Sequence, residues 1–121
     1  MTQLLGLVLA GLLAMLSPAS AAAHSLLVGS TPPAGAVLAT PPLELTLRFN
    51  NRIEKRLSSV RLVDERGAVA TALVQTSEAD GADRLIARVP PLAPGAWRVE
   101  WQVFSADGHV VSGSYAFRLA P

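Results

Sequence analysis

The segment Leu43-Glu44-Leu45-Thr46-Leu47-Arg48-Phe49 alternates apolar and polar residues without a break, and this period of two limits the possible folds more than any other feature. Successive side chains of an extended strand point to opposite faces, so such a run has one buried face and one wet face. A helix would scatter the same residues around its axis. The pattern recurs around Val60 and Leu62, with Glu65-Arg66-Gly67 as the turn that follows. Trp97, Val99, Trp101 and Val103 share one face of a later strand, opposite Arg98, Glu100 and Gln102, and Tyr115, Phe117 and Leu119 share a face of the last. Residues 69–76 and 84–89 are two further runs, expected to pair across a loop at 77–83. Between the runs lie Thr31-Pro32-Pro33-Ala34-Gly35, Thr40-Pro41-Pro42 and Pro90-Pro91-Leu92-Ala93-Pro94-Gly95. Proline cannot donate to a ladder, so these are loops or strand entries. Residues 36–39 read as a single helical turn. About seven short strands with one polar face each predict an all-β antiparallel sandwich.

Residues 1–23 are of another kind. An apolar run from Leu4 to Leu16, interrupted only by Gly6 and Gly11, precedes Ser17-Pro18-Ala19-Ser20 and Ala21-Ala22-Ala23. The run is too short for a membrane span, which needs about 20 apolar residues, and the alanines fit an A-x-A cleavage pattern. Met1-Thr2-Gln3 departs from the usual leader in having no Lys or Arg. The expectation is a secretory signal peptide, 1–23, cleaved before His24. Removing 23 of the 121 residues leaves 98, enough for one small exported domain, 24–121. Cleavage at an earlier bond would abolish the site described next.

Ten basic and nine acidic residues, all after the leader, give a net charge of +1. That balance argues against nucleic acid or an anionic membrane surface as partner. The chain has no cysteine, and Met1 and Met15 are its only methionines. The core alone must therefore hold the exported domain, and neither thiolate nor thioether is available to a metal there.

The only histidines are His24 and His109. A chain that begins at His24 carries a free amine and an imidazole on one residue, able to chelate one ion. The alternative is an exposed terminal residue without a role. Asp107-Gly108-His109 follows the Trp97 strand, and positions i and i+2 of an extended chain project to one side, so carboxylate and imidazole can converge. Alone, the triplet also reads as a turn with an exposed His. Taken together, His24, Asp107 and His109 offer nitrogen and oxygen donors in a set that suits Cu(II). Glu78, Asp80 and Asp83 lack the spacing of a calcium loop and read as a solvated hairpin loop. Trp97 and Trp101 read as core rather than as a stacking platform. Ser112 and Ser114 lie near His109 without the setting of an activated nucleophile.

With these residues in view, the chain resembles the CopC family of periplasmic copper-resistance proteins. The resemblance is carried by His24-Ser25-Leu26-Leu27, by Ser30-Thr31-Pro32-Pro33-Ala34-Gly35, by the alternating segment at 43–49, and by the block from Val103 through Asp107-Gly108-His109 to Phe117. It implies a Greek-key β-sandwich or barrel that carries Cu(II) in the periplasm without enzymatic activity. The implied ligands are the amine and ring of His24, with Asp107 and His109. Some members also hold Cu(I) in a methionine-rich site, which this chain cannot form. After Phe49 relatives often show Ser-Glu where this chain has Asn50-Asn51, leaving the supporting role of that Glu to be found elsewhere, with Glu54 nearby. An inner-membrane copper transporter of the CopD type is the implied partner. Two other readings use the same residues or none of them: a histidine-brace copper oxidase or monooxygenase, and a metal-free envelope interaction module.

Overall fold

The computed structural model describes residues 25–121, so the expected leader and His24 lie outside the described residues. Among the described residues nine strands form two sheets packed face to face. Strands β1 (Leu27–Thr31), β3 (Glu44–Phe49), β7 (Arg84–Arg88) and β6 (Leu73–Val74) make the first, in the order β1-β3-β7-β6. The second runs β2-β9-β8-β4-β5, from β2 (Val37–Leu38), β9 (Val110–Leu119), β8 (Gly95–Ser105), β4 (Ile53–Asp64) and β5 (Val69–Thr71). The chain crosses between the sheets repeatedly, so that β3 neighbours β7 and β4 neighbours β8, the long-range return of Greek-key connections. No helix of the described residues is long and apolar enough to cross a membrane.

Alternation decides which residues meet. Leu45, Leu47 and Phe49 of β3 and Leu85 and Ala87 of β7 are at most 1% exposed. They face Val60, Leu62, Val99, Val103 and Phe117 of the other sheet in one core. Fully burying an aliphatic or aromatic side chain of this kind contributes roughly 1.5–3 kcal/mol, and in a cysteine-free chain nothing covalent supplements it. Trp97 and Trp101 belong to the same core. The Trp101 ring meets Phe49 edge-on at 5.2 Å and ties the sheets together. It also lies over Gly113, its partner across the β8–β9 ladder, where a Cβ would come within 2.4 Å of Trp101 Cζ2.

Three expectations need correction. Residues 36–39 are not a helical turn: Val37 and Leu38 form β2, which runs parallel to the end of β9, so the sandwich is not wholly antiparallel. Free backbone groups on the edge of β9 capture this short extended segment, and Arg118 N–H donates to Ala36 O at 2.8 Å. The run at 69–76 is not one strand. It pairs with β4 as β5 and then, past buried Ala72, with β7 as β6, changing sheets on the way. With β2, this division raises the number among the described residues from about seven to nine. The loop at 77–83 does connect two paired strands, as expected, but contains a 3₁₀ turn at Glu78–Asp80, with Ser77 Oγ accepting from Ala79 N–H.

Candidate metal centre

One end of the sandwich brings together the start of β1, the loop between β3 and β4, and the turn between β8 and β9. That turn is tight. Gly108 N–H donates to Ser105 O (3.0 Å) and Ser105 N–H to His109 O (2.8 Å). Gly108 sits at φ +84°, a left-handed conformation that a side chain would strain. Within it Asp107 grips His109 at two points. Its Oδ1 accepts the His109 backbone N–H at 3.1 Å and its Oδ2 lies 2.9 Å from His109 Nδ1. The Asp107 side chain is 17% exposed and the His109 side chain 68%.

This contact has a chemical consequence. A carboxylate can only accept, so in this contact Nδ1 is the donor. Carboxylates often orient a ligating histidine in this way. The carboxylate that holds Nδ1 lies too far from Nε2 for both to meet one ion, so Asp107 can join His109 as a ligand only once this contact opens. Among the described residues no three His, Cys, Asp or Glu side chains group closely enough to hold an ion. The structure thus brings Asp107 and His109 together, while His24 falls outside it.

What the structure does describe is the residue next to His24. Ser25 is fully buried. Its N–H donates to Ser105 Oγ at 3.0 Å and its hydroxyl to Arg52 O at 3.1 Å. The next residue is clasped as well: Leu26 N–H donates to Asn50 Oδ1 at 2.7 Å and Asn50 N–H to Leu26 O at 2.9 Å. Ser105, which closes the Asp107-His109 turn, is therefore also the anchor of residue 25. Sequence reasoning missed Ser25, Ser105 and Arg52, because serines and a backbone carbonyl carry no motif. It noticed Asn50 only as a departure from relatives. Glu54 alternates with buried Ile53, is exposed, and sits opposite Phe104.

Other candidates resolve as the residue patterns suggested. Glu78 and Asp80 are exposed on the 3₁₀ turn. Trp97 and Trp101 are 8% and 7% exposed, and Trp97 Nε1 donates to Ala93 O at 2.9 Å.

Comparison with known proteins adds a lineage. The model of the CopC domain family matches residues 27–120. The chain is 33% identical over 112 residues to copper resistance protein C of Xanthomonas campestris pv. juglandis, covering 88% of this chain and 87% of that protein. The crystal structure of CopC from Methylosinus trichosporium OB3b is similar at a TM-score of 0.73 and 36% identity, over 81% of this chain and 95% of that one. Copper transport protein CutJ of Bacillus subtilis (strain 168) is 26% identical over 103 residues, which cover 84% of this chain but 19% of that much longer protein.

Proposed function

This chain belongs to the CopC family, and on that premise we propose that it is a periplasmic Cu(II) carrier or buffer serving copper resistance or homeostasis. The relatives named as copper resistance and copper transport proteins support a copper-binding, non-enzymatic role. One observation carries the site. Ser25, held at zero exposure by Ser105, tethers the preceding residue to the Asp107-Gly108-His109 turn, because consecutive Cα atoms are ~3.8 Å apart. In our proposal the signal peptide, 1–23, is cleaved before His24. The freed amine and ring of His24, the exposed ring of His109 and a carboxylate oxygen of Asp107 then hold one Cu(II).

Three nitrogens and one oxygen suit the tetragonal preference of Cu(II), and copper heads the affinity order of divalent first-row metals for such donors. The donor types fit the ion, since the chain beyond the leader has no sulfur ligand. Protons compete with the metal for the amine and the imidazoles, so affinity falls as pH falls. An inner-membrane transporter of the CopD type is the proposed partner. The support is CutJ, a copper transport protein in which the region similar to this chain is a minor part.

Native mass spectrometry of the exported protein tests the proposal, with and without one equivalent of Cu(II). The expected species begins at His24 and gains one copper. A tag placed before His24 turns the amine into an amide and should abolish tight binding. A tagged protein that binds copper as well as the untagged one would overturn the ligand set.

A further inference from the structure

The outer face of the four-stranded sheet carries two arginines set directly against each other. Arg48 of β3 and Arg84 of β7 are partners across the ladder, both on the face opposite buried Leu47 and Leu85. Like charges in that position destabilise a sheet, and neither arginine forms an ion pair among the described residues. The arginines in described ion pairs are Arg61, Arg98 and Arg118. Asp83 lies beside the stem of Arg84, its Oδ1 at 3.2 Å and the Arg84 Cγ and Cδ at 3.7 Å from where a Cβ on Gly81 would stand, but the two form no ion pair. Glu44, on the same face of β3, is opposite Arg88. The Arg48 guanidinium lies over Gly29, its Nη2 3.0 Å from the position of a Cβ there, so the missing side chain makes room for it. Between the arginines and β1 is an open cavity of about 210 Å³, lined by Gly29, Ser30, Thr31, Thr46, Arg48 and Arg84.

We propose that this cavity binds a phosphate group. Guanidinium forks match the oxygens of phosphate in paired hydrogen bonds, and both arginines line this one cavity. The hydroxyls of Thr31 and Thr46 supply two further donors on the same wall. A phosphate monoester, close to dianionic at neutral pH, balances both arginines, whereas a lone carboxylate would balance one. Arg48 stands two residues before Asn50, which clasps Leu26, so the cavity is near the end that carries the candidate metal centre. The phosphate can come from free phosphate or from a phospholipid headgroup.

Amide chemical shifts of the exported protein, titrated with inorganic phosphate at constant ionic strength, test this directly. Expected are saturable shifts at Gly29, Thr31, Thr46, Arg48 and Arg84, with Arg48→Gln and Arg84→Gln each weakening binding by about tenfold or more. In a second arm the proteins are sedimented with vesicles containing phosphatidic acid, or phosphatidylcholine alone. Vesicle binding that needs both arginines, without saturable response to free phosphate, supports the site with a lipid as its source. Responses retained in both variants, shifts that chloride reproduces, or no response in either arm would overturn the proposal. Copper uptake by the two variants is expected to equal that of the unaltered protein, so failure here is separate from failure of the copper site.

Discussion

Ser105→Ala is the most exacting perturbation of this molecule, because one hydroxyl serves both the fold and the proposed site. Ser105 is 1% exposed, and its Oγ accepts the N–H of fully buried Ser25 at 3.0 Å. Removing the oxygen leaves that N–H without its partner where water does not reach it, which costs about 1–3 kcal/mol. For a domain near 100 residues each kcal/mol moves Tm by roughly 4–8 °C, so a fall on the order of 5–20 °C is expected in calorimetry. Copper affinity should fall as well. Untethered, the terminal residues must be ordered on binding, at about 1–2 kcal/mol per residue, equivalent to a Kd raised roughly 5- to 30-fold. Val103→Ala supplies the control, since it removes core packing on the same strand without touching Ser25. Equal loss of stability in the two variants, with weakened copper binding only in Ser105→Ala, is the expected pattern. An unchanged Kd in Ser105→Ala would refute the claim that Ser25 positions the terminal chelate, and an unchanged Tm would refute the bond's structural weight.

Asp107→Asn should leave Tm nearly unchanged, because an amide oxygen can still accept the His109 backbone N–H of this turn. Losing the carboxylate that orients His109 should weaken copper binding about 10- to 100-fold, measured by competition with a chelator of known affinity. Gly113→Ala puts a Cβ 2.4 Å from Trp101 Cζ2; overpacking of this kind costs about 1–3 kcal/mol, to be read from denaturant midpoints. Burial pushes the phenol of Tyr115 up to about 12, the Ser30 side chain pulling the other way. As the chain has a single tyrosine, absorbance of the phenolate reports it alone. The neutral phenol is favoured in the folded state, so its contribution to stability is complete below pH ~10 and is lost as pH rises towards 12. A phenolate titrating near pH 10 in the folded protein would count against that burial.

The proposed centre also accounts for how so small a domain can hold an ion without sulfur. A chelate built on a chain terminus is strong only if the terminus is held, since a frayed end loses in ordering entropy what it gains in ligation. Here Ser25, Leu26, Asn50, Arg52 and Ser105 share the holding through hydrogen bonds of 2.7–3.1 Å. Asn50 has a structural use in this chain, because its side chain extends the pairing of Leu26 beyond the end of the ladder.

By itself the sequence determined the layers. Alternation at 43–49, 97–103 and 115–119 dictates which side of each strand is apolar, and the proline breaks dictate where strands stop; both are local properties of the backbone. It also determined the chemistry on offer, with His24, Asp107 and His109 as its candidate ligands and no sulfur after Met15. The tertiary structure decided the rest. That residues 36–39 join β9 in parallel, and that the run at 69–76 divides between the sheets, depends on which edges the fold leaves unpaired. No local propensity encodes that. The anchoring of Ser25 by Ser105 and the confrontation of Arg48 with Arg84 are likewise contacts between residues far apart in the chain. Serines and arginines are read locally as solvated residues, and only the register between distant strands gives each of them a partner, or withholds one.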